Sequence, residues 1–310
     1  MTLTQLMYIV AVEKYRHFGT AAEKSFVTQP TLSMQIHKLE EELGLKIFDR
    51  SKSPVVPTPV GARIVEKARE VLQGGQAIED LARAADDRIR GVFRIGVVST
   101  VAPYLLPLFL KPFMDRYPDV TLVFEEGLTR EILEGIADDR LDAGIIASPP
   151  DIPNVLEKEL FLEPFTALVP KDHSLRDAER LSVSQVNPEE LLLLDEGHCF
   201  RDQAVKLCSR MTADRPARVQ FRSGNLETLK RLVERDYGVT LLPWLAMNGP
   251  EAECGHARAV PFEAPEPCRR IRIAYSREYL ERNFIKALQE VILSHIPPEL
   301  KDMQDTRVIE

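Results

Sequence analysis

FGTAAEKSFVTQPTLSMQIHKLEEELGLKIFDR, Phe18 to Arg50, decides how this chain begins. Thr28-Gln29-Pro30 starts a helix: a threonine side chain can accept from an orphan amide, and Pro30 falls in the first turn, where a missing N–H costs nothing. Gly44 ends it. Leu32, Ile36, Leu39 and Leu43 form its inner stripe. The other face carries Thr28, Gln29, Thr31, Ser33, Gln35, His37 and Lys38, short hydrogen-bonding side chains that suit base edges and phosphates better than bulk water. Upstream, Thr2 with Gln5 and Thr20 with Glu23 read as capping boxes of two shorter helices. Leu3, Leu6, Met7 and Val10 stripe the first, and Ala21, Ala22 and Phe26 pack the second against it. Downstream, Lys46, Arg50 and Lys52 flank a Pro54-Val55-Val56-Pro57 ribbon. Three short helices and a basic ribbon predict a winged helix-turn-helix with its wing on phosphates. The same spacing also fits a three-helix protein-interaction module.

The remaining composition allows such a head on a different body. A chain of 310 residues makes about two domains. At 44% apolar and 28% charged, it is neither collagen-like, nor disordered, nor a disulfide mini-protein. No apolar run reaches membrane-span length, and Met1 leads into a charged amphipathic stretch, so the cytoplasm is the expected compartment. Residues 1–90 hold 13 Lys and Arg against 12 Asp and Glu, and the rest 27 against 36, for a net charge of −8. That distribution speaks against nucleic acid along the whole surface and leaves room for a small reading head on an acidic body. The cysteines, Cys199, Cys208, Cys254 and Cys268, form no C-x-x-C pair.

The run from Phe18 to Arg50, followed by the T-P-x-G of Thr58 to Gly61, resembles the DNA-binding domain of LysR-type transcriptional regulators, and the family's length and layout fit the whole chain. The resemblance implies that the helix from Thr28 enters the major groove of double-stranded DNA. Thr28, Gln29, Pro30, Thr31, Ser33, Gln35, Lys38, Arg50 and Lys52 are then the DNA-contacting set. One position departs from the family pattern: three residues after Arg50, where another arginine is usual, stand Ser53 and Pro54.

Thr58 and Pro59 open a long helix predicted to run to Arg90. Ile64, Ala68, Val71, Gly75, Ile78, Ala82, Ala85 and Ile89 alternate steps of four and three, a heptad seam that asks for a second copy of the helix. A helix packed on its own domain would read similarly. From Gly91 the pattern alternates strand and helix. Strands are expected near Phe93–Val98, Val120–Glu125, Ala143–Ala147, Ala167–Pro170, Leu191–Asp195, Arg218–Phe221, Val239–Leu242 and Arg272–Tyr275. This is an α/β body with its ligand crevice outside strand C-termini. It resembles the family's two-lobed, periplasmic-binding-protein-like effector domain, with crossings near Glu163–Phe165 and Phe262–Pro267. The expected organisation is a winged helix-turn-helix over 1–58, a dimerisation helix over 59–90 and an effector domain over 91–310. Lobe I comprises 91–163 and 268–310, and lobe II comprises 164–267. No Gly-rich nucleotide loop or metal-spaced His/Glu set is present, so neither a metal nor a cofactor is expected, and an enzyme reading lacks its usual parts.

GHCFRDQAVKLC, Gly197 to Cys208, stands apart. Its two sulfurs are nine residues apart, which in one helix means about 13 Å along the axis and about 180° around it. A disulfide needs Cα atoms roughly 4.4–6.8 Å apart, so bonding the two would require the segment to unwind. His198 and Arg201 beside Cys199, and a strand-to-helix junction, suit a reactive thiol. Two buried, inert cysteines would show the same spacing. DEGHCFRDQ followed by Cys208 also resembles the redox segment of the family's peroxide-sensing branch. That resemblance implies Cys199 as peroxidatic and Cys208 as resolving cysteine, joined reversibly as a disulfide. It further implies a hydrogen peroxide pocket drawing on Thr100, Thr129, His198 and Arg270. Cys254 and Cys268 fall outside it. The implied protein is an activator working as a homotetramer of helix-paired dimers, with DNA, hydrogen peroxide, thiol reductants and RNA polymerase as partners. Two other readings stay open: a LysR-type regulator sensing a small metabolite in the inter-lobe cleft, and a thiol peroxidase. A sensor needs one oxidation per signal; an enzyme turns over.

Overall fold

Thr2 and Thr28 start their helices as their side chains dictate. Thr2 forms a reciprocal capping box with Gln5 ahead of α1 (Leu3–Tyr15), and Thr28 caps α3 (Gln29–Leu43), which ends on Gly44 at φ 68°. Between them α2 (Phe18–Lys24) begins earlier than expected. Its cap is His17, whose Nδ1 accepts from the Thr20 amide at 3.2 Å, so the Thr20–Glu23 box does not form. The computed structural model describes residues 1–84, 89–208, 224–248, 257–277, 280–301 and 303–310. The chain divides into two units, Met1–Asp86 and Asp87–Glu310.

In the first unit, Leu6, Ile9, Val12, Leu32, Ile36, Leu39, Ile47 and Phe48 make the core of a three-helix head. A two-stranded wing, β1 (Phe48–Asp49) antiparallel to β2 (Val56–Pro57), follows. The wing is held by Glu40, fully buried, whose Oε1 accepts from the amides of Ile47 (2.9 Å) and Phe48 (3.3 Å). Helix α4 (Pro59–Ala84) leaves the wing with Thr58 Oγ1 accepting from the Gly61 amide. Gly61 is required there: a Cβ would lie 1.9 Å from the Ile47 carbonyl oxygen. The expected seam divides in two. Ile64 and Ala68 pack on the head's own core, while Val71 and Ile78 face outward. The side chain of Ala82 and all of Ala85 lie outside the described residues.

The second unit is built on one nine-stranded sheet. Parallel β3 (Gly91–Val98), β4 (Val120–Gly127) and β5 (Ala143–Ile146) are joined by α5 (Ala102–Arg116) and α6 (Thr129–Ala137). Two long strands, β6 (Leu156–Val169) and β10 (Glu266–Tyr275), run antiparallel through the middle. β6 changes partners between Pro164, paired with Cys268 of β10, and Phe165, paired with Pro243 of β8 (Val239–Pro243). Past that point lie β7 (Leu191–Leu192), α7 (Cys199–Leu207), α8 (Leu226–Val233), α9 (Trp244–Asn248) and β9 (Arg258–Pro261). α10 (Lys286–His295) covers the first half and β11 (Thr306–Val308) pairs parallel with β10. Two cores result, one around Ile95, Phe109, Ile145 and Ile273, the other around Phe165, Leu168, Leu191 and Leu242. These are the two lobes.

Two strands are longer than their sequence suggested. β6 begins at Leu156, ahead of Ala167, and β10 at Glu266, ahead of Arg272. Charged residues interrupt both, and in β10 two of them, Arg269 and Arg272, are buried. A bulge between Ile271 and Arg272 lets residues three positions apart both turn inward. The strand expected at Arg218–Phe221 lies outside the described residues.

Candidate functional site

The C-terminal ends of β3, β4 and β5 converge on the first turn of α7. Thr100 follows β3 and is buried. Thr129 is the first residue of α6, after β4, and its Oγ1 is buried with no hydrogen-bond partner. After β5, the Ala147 carbonyl accepts from Gln203 Nε2 of α7 at 2.7 Å. Gly197 lies so close to Leu128 that a Cβ on it would sit 3.2 Å from Leu128 Cδ1. This is the crevice that parallel strands leave open at their carboxyl ends.

Helix α7 is continuous, with Cys199 at its first position and Cys208 at its C-cap, both free thiols. Nine steps of helix separate their Cα atoms by about 13 Å, beyond disulfide reach. The two sulfurs, both on the second lobe's α7, also pack against different cores. Half-buried Cys199 packs against the first core, whereas Phe200, Ala204, Leu207 and Cys208 lie in the second. Burial pushes the Cys208 thiol up to about 11, so it stays protonated at neutral pH. Cys199 sits where the unpaired amides of the helix stabilise a developing anion.

His198 stands at the N-cap position of α7 without a side-chain capping bond, its ring against Gly224, where a Cβ would come within 2.5 Å of Nε2. Burial moves its imidazolium below the ordinary histidine range, with Asp195 and Glu131 pulling the other way. Arg201 does not serve the sulfur: Nη1 donates to the Leu194 carbonyl at 3.0 Å, and Nη2 lies 4.0 Å from Glu196.

The two neighbouring arginines of β10 are placed differently, and the expected Arg270 does not reach Thr100. Arg269, not Arg270, meets Thr100: its Nη1 donates to Thr100 Oγ1 (2.9 Å) and its Nη2 to the Thr100 carbonyl (3.0 Å). Its guanidinium lies 5.2 Å from the centre of the Phe200 ring, beside Cys199 in the chain. Strand alternation turns Arg270 to the other face of β10, where it pairs with Glu159 at 3.2 Å and is one-third exposed. Two further groups escaped the sequence reading. Gln203 is buried, with its Oε1 unpaired. Glu163 is fully buried and binds Arg269 through Oε2 at 2.8 Å. Charged and amide side chains read as surface, so only the tertiary pairing reveals them. Cys268 is buried beneath β11, and Cys254 lies outside the described residues.

On the head, Thr28, Gln29, Pro30, Thr31 and Lys38 are exposed, and Pro30, Ser33, Met34, His37, Lys38 and Glu41 line a shallow groove along α3. Met34 was not among the expected contacts. Gln35 turns inward to accept from Gln5 Nε2 at 3.3 Å. Arg50 folds back onto Ser33 Oγ (3.1 Å) and over the Phe18 ring (4.7 Å). Lys52 is exposed, 3.9 Å from Asp49.

Residues 3–62 match the model of the bacterial regulatory helix-turn-helix proteins of the lysR family, and residues 86–297 match the LysR substrate binding domain. The chain belongs to the LysR family. Within that family its similarity runs to the OxyR branch. The hydrogen peroxide-inducible genes activator of Haemophilus influenzae is 34% identical over 305 residues, covering 98% of this chain and 99% of that protein. The DNA-binding transcriptional dual regulator OxyR of Escherichia coli is 35% identical over 292 residues, or 94% and 95% of the two chains. Among solved structures, a full-length OxyR mutant from Pseudomonas aeruginosa is 38% identical at a TM-score of 0.75, covering 96% of this chain and 99% of its own. An H2O2-bound OxyR mutant from Corynebacterium glutamicum is 29% identical at a TM-score of 0.64, covering 95% and 92%.

Proposed function

We propose that this chain is a DNA-binding transcription regulator switched by hydrogen peroxide through reversible oxidation of Cys199 and Cys208. The observation that carries the reading is the placement of two free thiols at opposite ends of one helix, each against a different core. The thiolate of Cys199 attacks one peroxide oxygen: an S–O bond forms, the O–O bond breaks, and the second oxygen leaves as hydroxide. Sulfur loses two electrons and becomes a sulfenic acid. Donors for the leaving oxygen are the Thr100 hydroxyl, which receives its own hydrogen bond from Arg269, and the unpaired Thr129 hydroxyl, with His198 next to Cys199 at the start of α7. Once α7 unwinds, the Cys208 sulfur displaces water from the sulfenic acid and a disulfide forms. Two thiols of a cellular reductant return both cysteines to the thiol state and leave as their own disulfide.

The readout is DNA. α3, with Thr28, Gln29, Thr31, Ser33 and Lys38, supplies base and phosphate contacts, and Lys52 on the wing supplies a phosphate contact. Outward Val71 and Ile78 of α4 support pairing with a second copy, and a tetramer of such pairs would meet RNA polymerase at a promoter. No helix among the described residues is long and apolar enough to cross a membrane, and the regulator is assigned to the cytoplasm, with its DNA. The test is mass spectrometry and operator footprinting of the reduced full-length chain before and after one equivalent of peroxide. A Cys199–Cys208 disulfide with a changed footprint is expected. A native footprint change in Cys199→Ser, or in Cys208→Ser without disulfide, refutes the mechanism.

A further inference from the structure

We propose that Glu163 is the positioning residue of the peroxide site, fixing Arg269 and through it the Thr100 hydroxyl. The inference rests on the peroxide reading above. Glu163 and Arg269 are both essentially inaccessible to solvent. Glu163 Oε1 accepts from the Leu245 amide in α9 at 2.9 Å. Its Oε2 accepts from Arg269 Nε (2.9 Å) and Nη2 (2.8 Å). The carboxylate thus grips one edge of the guanidinium and is itself anchored from behind.

A planar fork held along one edge has its other edge aimed. That edge reaches the hydroxyl and carbonyl oxygens of Thr100, while the ring of Phe200 covers one face. Thr100 Oγ1 accepts from Arg269, so its own hydrogen remains to be donated. Arg269 has five N–H groups. Those named account for Nε, both hydrogens of Nη2 and one of Nη1. Without the carboxylate, the fork keeps only its bonds to Thr100 and the Phe200 face, and the edge formed by Nε and Nη2 is no longer held. The Thr100 hydroxyl would then lose the partner that orients it. Glu163 touches neither peroxide nor sulfur in this scheme; it acts through Arg269.

Glu163→Asp keeps the charge but withdraws the carboxylate by about 1.5 Å, one C–C bond, so the bonds to Leu245 and Arg269 cannot both survive. Misplacement of about 1 Å costs up to about 100-fold in rate. The experiment compares two reactions of Cys199 in the reduced full-length chain: oxidation by hydrogen peroxide, which needs a hydrogen bond to the departing oxygen, and alkylation by iodoacetamide, which expels iodide unaided. Quenched-flow mass spectrometry reads both. For Glu163→Asp and for the isosteric Glu163→Gln, the peroxide rate should fall about 10- to 100-fold while the iodoacetamide rate stays within about threefold of native. Peroxide rates that match native, or both rates falling together, overturn the proposal. Failure of both variants to fold assigns Glu163 to stability alone and overturns it too. The native chain separates the two levels: if native Cys199 ignores peroxide the sensing reading fails, and if it reacts and the variants match it, only the role of Glu163 fails.

Discussion

In the reduced, folded protein Cys208 should react with iodoacetamide at pH 8 about 100-fold more slowly than in the unfolded chain. Burial raises its thiol from 9.0 to about 11. Only the thiolate is a nucleophile, and its fraction at pH 8 falls from about one in ten to about one in a thousand. The same burial makes stability depend on pH. Between pH 9 and 11 the unfolded thiol has released its proton while the folded one retains it, so the folded state binds more protons and stability declines as pH rises. Stability is whole below about pH 9, and about 3 kcal/mol is lost once the folded thiol has ionised near pH 11, since each tenfold change in the ionisation constant corresponds to about 1.4 kcal/mol. Pulse alkylation followed by peptide mass spectrometry measures the first effect, with urea-unfolded protein as reference. Urea titrations at pH 8 and 10.5 measure the second, as a difference from Cys208→Ala, which lacks the group. Labelling of folded Cys208 within about tenfold of the unfolded rate, or a difference from Cys208→Ala that does not narrow with pH, would show that the thiol is not shielded.

Three other outcomes follow from the geometry. Arg269→Met strands fully buried Glu163 and should cost about 3–5 kcal/mol. Arg270→Met removes only a part-exposed pair with Glu159 and should cost about 1 kcal/mol or less. Denaturant titration of the two variants distinguishes the assignments, and equal losses would restore Arg270 as a candidate. Lys38→Ala should lower the slope of log binding constant against log salt by about one for operator and random DNA alike, read by fluorescence anisotropy; an unchanged slope removes Lys38 from the phosphate contacts. Leu207→Ala should destabilise helical α7 by about 2–5 kcal/mol. If the disulfide form has given up that helix, a glutathione titration should show a potential about 30 mV more negative for each 1.4 kcal/mol lost. A change to less negative values would mean that the oxidised state keeps Leu207 packed.

Legibility followed the reach of the forces involved. Local rules located α3, because Thr28, Pro30 and Gly44 act on their own backbone. The mistake at α2 was also local: His17 and Thr20 both can cap, and only packing decides between starts three residues apart. Arg269 and Arg270 pose a harder problem. Adjacent side chains on a strand point to opposite faces, and which face is interior depends on the register of β10 against β6 and on a bulge that alternation cannot foresee. Glu163 and Gln203 stayed hidden because a buried polar residue is stable only with its partner, and those partners are more than 50 residues away in sequence. The cysteine pair was visible in its spacing, but its division between two cores was not.

In the mechanism proposed above, that division is what would let a two-electron reaction become a change of shape. A disulfide between two thiols in one core could form with local adjustment, and the rest of the protein would not register it. Here Cys199 and Cys208 lie against separate cores, so drawing the sulfurs together takes at least one from its packing. The helix between them carries buried Phe200 and Leu207, each worth about 1.5–3 kcal/mol of apolar burial. It also carries the Gln203 bond to the end of β5. Unwinding α7 breaks this contact between lobes together with the cover that Phe200 gives Arg269. On that mechanism the reduced fold would resist closure until a sulfenic acid made disulfide formation favourable. The contacts given up in closing the bond are the ones that favour the helical, dithiol form when a reductant opens it.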